Sequence, residues 1–378
     1  MSRQIGRREF LLQGGKAVLA GSALPLAGCF AHPPATGSPS LTQGGSLHSL
    51  VATLEDKVPG WMREANTPGV AISIIADAEP AWHLEFGAKD TDSRAPVTDQ
   101  TMFEAASMSK PVFAYVVMKL CEAGAMNLDT PLTSYLPDRF LEGDPRLELI
   151  TARHVLSHTT GFQNWRSEKE PLSIHFTPGE RFLYSGEGYN YLQTVLTHLL
   201  RQPFEIYMRT RLLEPMAMTS SGYVWTDTFA RRMARPHDQS GAALKNRKST
   251  TADVARYGSA GALLTTTSDY ARFVCAVIDP KPADAFHLTR DGVREMLRPH
   301  VKIEGGQYPA SWALGWQIFH NRDRDFIYHG GDNEGFHCGA VASVAGRSGF
   351  VVMTNGENGT SVLRNVLMDG DMQEFLAS

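Results

Sequence analysis

Strand-like runs lie at the two ends of this chain with helical patterns between them, and that distribution constrains the fold more than any single motif. Near the amino end, "GVAISIIAD" (69–77) and "PAWHLEFGA" (80–88) are short apolar runs separated by a turn, the pattern of a β-hairpin. Near the carboxyl end, "WALGWQIF" (312–319), "DFIYHGG" (325–331), "HCGAVASVA" (337–345) and "GFVVMTN" (349–355) are short, apolar and punctuated by Gly, Asn and Asp. The middle instead carries "TARHVLSH" (151–158), "YNYLQTVLTHLL" (189–200) and "FEIYMRTRLLEP" (204–215), which have helical spacing. A helical pattern over 46–65 precedes the first strand, and another over 361–377 closes the chain. The economical architecture is α+β: one antiparallel sheet built from both chain ends, covered by terminal helices, with an inserted helical lobe. The sheet lobe is expected over about 46–124 and 258–378, and the helical lobe over about 125–257.

The first 45 residues are expected to lie outside that fold. Residues 1–28 have a basic start and an apolar stretch from Ala17 to Ala27 that is too short to span a bilayer comfortably, as in an export signal. Arg7 and Arg8 followed by "EFL" resemble a twin-arginine signal. Leu26-Ala27-Gly28-Cys29 resembles a lipoprotein cleavage box, which makes Cys29 the candidate lipidation site. Residues 29–45 are rich in Pro, Gly, Ser and Thr, as in a flexible tether. The expected location is therefore the periplasm, with a membrane contact only through a lipid at Cys29. The remaining cysteines, Cys121, Cys275 and Cys338, sit in apolar patterns and form no disulfide framework or zinc spacing.

With 378 residues, 42% of them hydrophobic, the chain can bury a large core. Its net charge is −4 with no basic stripe, which argues against nucleic acid and for a small-molecule substrate. The sharpest oddity is "EAASMSKPVFAY" (104–115), where Lys110 stands at the head of an apolar helix. Pro111 is tolerable only near a helix start, so the helix begins close to Ser107. Residues three apart on a helix share a face, so the Ser107 hydroxyl and the Lys110 amine fall within reach of each other. Burial disfavours a charged lysine and can make it a base near neutral pH, and the pair could then form a nucleophile. By itself Ser-x-x-Lys recurs about once by chance in a chain this long.

Two more stretches offer chemistry. Tyr184, in "TPGERFLYSGEGYNYL" (177–192), precedes a helix, and its hydroxyl could pass a proton if a nearby ammonium stabilised the phenolate; alone it reads first as a core aromatic. His329-Gly330-Gly331-Asp332 follows a strand, where glycines permit close approach and N–H groups could form half of an oxyanion hole. His329 could donate a hydrogen bond to a substrate carbonyl or carboxylate. His154 and His158 have the spacing of a zinc pair on a helix, but "TTGF" supplies no third ligand, and no metal or other cofactor is expected. There is no Gly-x-Ser-x-Gly and no phosphate-binding glycine loop.

The order of these blocks is more specific than any one of them. "FEAASMSKP", "TARHVLSHTTGF", "TPGERFLYSGEGYNYL", "SAGALLTTTSDYARF" and "LGWQIF…HGGDNEGF" together resemble the serine β-lactamase and penicillin-binding-protein family. The likeness is greatest to its class C-like branch with related esterases and D-amino-acid peptidases. The resemblance covers about 46–375 and implies the β-lactamase/transpeptidase-like fold. It implies Ser107 as the acyl-forming serine, Lys110 as its partner, Tyr184 as the Tyr-x-Asn tyrosine, and His329-Gly330-Gly331 as the third motif. The backbone N–H groups of Ser107 and Asp332 would form the oxyanion hole. Gly186 stands where the family often has asparagine and His329 where it often has lysine. The implied activity is serine hydrolysis of an ester, amide or lactam through an acyl-enzyme, with esters favoured. β-Lactam or D-alanyl-peptide hydrolysis and a silent envelope-binding role are the alternatives.

Overall fold

The computed structural model describes residues 43–280, 286–306, 308–321 and 324–377. The export segment, Cys29 and most of the expected tether lie outside those residues. Helix α1 (Gln43–Glu64) opens inside the stretch read as tether, because its first turn carries two glycines and no apolar residue to mark it. No helix among the described residues is long and apolar enough to cross a membrane.

The hairpin expected near the amino end is β1 (Gly69–Ala76) and β2 (Glu79–Asp90). Its turn residues Asp77 and Ala78 both have positive φ, 52° and 57°, the backbone twist that two-residue hairpins favour. Short strands β3 (Ala95–Pro96) and β4 (Phe103–Glu104) follow, and β4 pairs with β5 (Leu264–Thr265) as a separate two-stranded ribbon. The carboxyl end supplies β6 (Val301–Ile303), β7 (Ala310–Trp312), β8 (Gln317–His320), β9 (Asp325–Asn333), β10 (Phe336–Ser343) and β11 (Ser348–Thr354). All pairings in the main sheet are antiparallel, in the order β3-β2-β1-β11-β10-β9-β8-β7-β6. Val70 lies opposite Thr354 and Ile75 opposite Gly349, so the two chain ends meet at the sheet's centre.

"WALGWQIF" is two strands rather than one. Gly315 adopts φ 87°, which side-chain-bearing residues rarely enter, and turns the chain between β7 and β8. A Cβ there would also sit 2.6 Å from the Cβ of Ala114.

Alternation along the strands divides the core. Val70, Ile72, Val341, Phe350 and Val352 face α1 and two carboxyl-terminal helices, Gly359–Met368 and Gly370–Ala377. Ala71, Ile327, Ala340, Val351 and Met353 face the other layer, whose centre is helix α2 (Ser109–Glu122). Val112 to Val117 are buried all round, so α2 is the central helix that its apolar run implied. Further helices of this layer that matter below are α3 (Gly186–Leu200), α4 (Thr251–Gly261) and α5 (Thr267–Ile278). His329 shares its strand face with Ile327, and therefore points into the α2 layer.

Candidate active site

Ser107 lies in a single 3₁₀ turn, Ala106–Met108, that feeds directly into α2. From Thr101 to Met118 every residue is buried except Ser107, which is partly open to solvent. Ala106 just before it has φ 47°, a conformation costing roughly 1–2 kcal/mol for a residue with a Cβ. The surrounding contacts hold that geometry. The Ser109 hydroxyl donates to the Ala106 carbonyl at 2.7 Å and accepts from Leu263 N–H at 3.0 Å, while Tyr270 of α5 donates its O–H to the Met108 carbonyl at 2.9 Å. Pro111 sits in the first turn of α2, where its missing N–H leaves no gap in the hydrogen-bond ladder.

Lys110 is fully buried. Its Nζ lies 3.1 Å from Ser107 Oγ and 2.6 Å from the carbonyl of Ala260 near the end of α4. Burial brings its pKa down to about 7 from the ordinary lysine value of 10.5. At neutral pH a large share of the amine is therefore uncharged, with an N–H for Ala260 and a lone pair for the Ser107 proton. The Tyr184 hydroxyl is hydrogen-bonded to Ser107, and its ring centroid is 4.9 Å from Lys110 Nζ. Burial raises the tyrosine pKa despite the Ser107 hydrogen bond, so the phenol stays protonated. This differs from the phenolate considered from sequence: a half-neutral, desolvated amine does too little to stabilise a second buried charge.

The third motif is also brought to this place. A Cβ on Gly331 would lie 2.2 Å from the Ala105 carbonyl oxygen, so only glycine lets β9 run this close to the Ser107 turn. Strand β8 pairs with β9 only as far as Tyr328, so residues 329–333 have no strand neighbour on that edge. Ser107 stands in a first helical turn, whose N–H groups lack intrahelical partners. Asp332 is on the β9 segment without a β8 neighbour, and its carboxylate lies 3.3 Å from His337 Nδ1.

His329 is placed differently from the donor expected of it. Its Nδ1–H donates to the Gly330 carbonyl at 2.7 Å, its Nε2 is buried without a partner, and burial beside Lys110 brings its pKa down to about 3. The ring is neutral and 2% exposed, so it offers no positive charge to a carboxylate.

His154 and His158 do not form a metal pair. The helix of the "TARHVLSH" segment ends at Leu156, and His158 has φ 56° and turns inward. His158 instead accepts Ser185 N–H on Nδ1 at 3.0 Å and stacks on the Tyr184 ring with centroids 4.1 Å apart. Burial holds its pKa far below the usual histidine range, so it is a neutral platform for Tyr184. Trp312 packs edge-on against His158, Tyr184 and His329 at 4.8, 5.7 and 5.5 Å between centroids. Among the described residues no cluster of three His, Cys, Asp or Glu is arranged to hold a metal ion. His158, Trp312 and the Ala260 carbonyl were not legible as site groups in the sequence. Their signal is distance across the fold, apart from the place of His158 in a recognisable block.

The beta-lactamase family model matches residues 51–368. Protein flp of Staphylococcus aureus (strain N315) is 21% identical over 314 residues, covering 78% of this chain and 61% of the relative. The chain thus spans about three-fifths of the length of that relative. Esterase EstB of Burkholderia gladioli is 26% identical over 209 residues, 47% of this chain and 52% of the relative. Among solved structures, a class C beta-lactamase superposes with TM-score 0.74 at 18% identity, covering 86% of this chain and 96% of that one. The sheet order, the Ser-x-x-Lys at a buried helix start and a family match across most of the chain agree: the protein belongs to the beta-lactamase family and has its serine-hydrolase fold.

Proposed function

We propose that the protein hydrolyses a small ester through an acyl intermediate on Ser107. The observation that carries this reading is Lys110: a fully buried amine, 3.1 Å from the one solvent-open residue of its segment, with a pKa brought to about 7 by burial. Lys110 takes the Ser107 proton as Oγ bonds to the substrate carbonyl carbon. The charge gathers on the carbonyl oxygen, which the Ser107 and Asp332 N–H groups receive. When the ester C–O bond breaks, protonated Tyr184 supplies the proton to the departing alkoxide and is reprotonated from Lys110. A water deprotonated by the same pair then attacks the acyl carbon and frees Ser107.

Two features support esters over lactams or D-alanyl peptides. His329 is neutral and enclosed, so the third motif offers no cation to a substrate carboxylate, and Gly186 supplies no side-chain amide. Similarity to an esterase points the same way. The fold it shares with a class C beta-lactamase keeps lactam turnover as the rival reading.

Mass spectrometry after fluorophosphonate treatment tests the mechanism: an adduct is expected on the Ser107 peptide, and it should disappear in Lys110→Ala. An unmodified wild type would favour an envelope-binding protein without catalysis. Steady-state rates with a nitrophenyl ester and a chromogenic cephalosporin test the substrate class, and faster cephalosporin turnover would reject the ester reading. Export to the periplasm with a lipid on Cys29 belongs to the same proposal. Arg7→Lys with Arg8→Lys should block export, and unimpeded export would argue against the twin-arginine route.

A further inference from the structure

Beyond the helix Ala152–Leu156 the chain turns back, at His158, onto the stretch that carries Tyr184. His158 has φ 56°, a left-handed conformation that residues with a Cβ seldom adopt. The turn brings a main-chain and a side-chain acceptor to one place. The His158 carbonyl accepts Leu183 N–H at 2.8 Å, and its Nδ1 accepts Ser185 N–H at 3.0 Å. Leu183 and Ser185 are the immediate neighbours of Tyr184, so the backbone is held on both sides of the tyrosine. Between these bonds the imidazole lies against the phenol ring, with centroids 4.1 Å and planes 30° apart. One residue thus fixes both the backbone and the ring of Tyr184.

The bond to Ser185 also fixes the proton on the imidazole. A ring nitrogen that accepts an N–H carries no hydrogen of its own, so the proton sits on Nε2, which is buried and has no partner among the described residues. A charged ring would set Nδ1–H against Ser185 N–H, donor against donor, and add a cation near Lys110. Desolvation and Lys110 both hold the ring neutral, so the clamp persists across the range in which Lys110 titrates. Tyr184 in turn is hydrogen-bonded through its hydroxyl to Ser107. A shift of its backbone or a tilt of its ring moves that hydroxyl, and a misplacement of about 1 Å can cost on the order of 10²-fold in rate.

We infer that His158 is a positioning residue for the departure of the alcohol, acting through Tyr184, whose hydroxyl it holds against Ser107. From the proposed ester hydrolysis the inference takes only the role of Tyr184 as proton donor to the leaving alkoxide.

Two variants separate the ring from its acceptor. His158→Phe keeps a ring beside Tyr184 but cannot accept from Ser185. His158→Asn has no ring, but its side-chain oxygen can take the place of Nδ1, and asparagine enters the left-handed region readily. The readout is kcat/KM for ethyl acetate against nitrophenyl acetate, which form the same acyl-enzyme although only ethoxide needs a proton to leave. His158→Phe should slow the ethyl ester by about 10- to 100-fold and the nitrophenyl ester by less than about 3-fold. His158→Asn should recover most of that loss. Added to Tyr184→Phe, His158→Phe should cost the ethyl ester almost nothing further, because the hydroxyl it positions is already gone. Both esters are measured on one sample, so a partly folded variant leaves their ratio intact. Equal losses on the two esters, or a full further loss in the Tyr184→Phe background, would overturn the inference. A crystal structure of His158→Phe tests it without turnover: the Tyr184 hydroxyl should stand beyond hydrogen-bonding distance of Ser107 Oγ, and a retained bond would also overturn it. A wild type that hydrolyses neither ester, together with a displaced hydroxyl in the variant, would overturn only the hydrolytic reading.

Discussion

At the scale of single residues, the site depends on a lysine kept half-neutral by its surroundings. If neutral Lys110 is the base, kcat/KM should rise with pH to a plateau with a midpoint near its pKa of about 7. A flat profile from pH 5 to 9 would exclude it. The same burial bears on stability. The folded pKa is depressed from 10.5, so between about 7 and 10.5 the unfolded chain binds a proton that the folded chain does not, and stability rises with pH across that window. Below pH 7 both forms are protonated and the full penalty of the buried ammonium, about 3–5 kcal/mol, is present. Lys110→Met should therefore be inactive yet more stable than the wild type, with a larger gain in melting temperature at pH 6 than at pH 9; a destabilised variant would contradict this. Tyr184 has a separate signature. Removing its hydroxyl in Tyr184→Phe should slow alkyl esters by about 10²–10⁴-fold, but nitrophenyl esters much less, because nitrophenolate leaves without a proton. Equal losses would take Tyr184 away from the leaving group.

At the scale of elements, what could be read from sequence was what local pattern encodes. The all-apolar α2, the Lys110 anomaly and the hairpin of β1 and β2 follow from spacing and turn residues over a dozen positions. The break between β7 and β8 did not, because "WALGWQIF" is apolar throughout and only the φ of Gly315 separates two strands from one. The short helix at 152–156 ended early for a related reason: His158 leaves the helix to support Tyr184, a demand set by a residue 26 positions away in the chain. Gly331 was legible as a close approach, but its partner was not. The strand runs against the Ala105 carbonyl, so Gly331→Ala must push β9 from the Ser107 turn or be rejected. The expected result is a loss of about 1–3 kcal/mol in chemical denaturation, together with slower fluorophosphonate labelling of Ser107 in the folded protein. Normal labelling would show that the distance from β9 to the turn does not matter for the oxyanion donors.

At the scale of the whole molecule, the site is made of segments that lie far apart in the sequence. Ser107 and Lys110 come from the head of α2, Tyr184 from the segment just before α3, the Ala260 carbonyl from α4 and Gly331 from β9. The layer behind the sheet takes no direct part in this assembly, yet it supports it. Val366, wholly buried, lies in the helix Gly359–Met368 that packs with Val70, Val352 and Phe350 on the face turned away from Ser107. Introducing Val366→Asp would bury a carboxylate in that apolar layer, which costs several kcal/mol, on the order of a third or more of a typical domain's total stability. Because the two faces of the sheet are separated by the sheet itself, the cost should fall on folding and not on chemistry. The expected result is a lower yield and melting temperature, with the folded fraction, counted by fluorophosphonate titration of Ser107, keeping a kcat near that of the wild type. Lys110→Met should show the opposite pair of effects, higher melting temperature and no turnover. If Val366→Asp instead lowered kcat per labelled serine, the rear layer would have to act on the geometry of β9, and the division between a supporting face and a reacting face would fail.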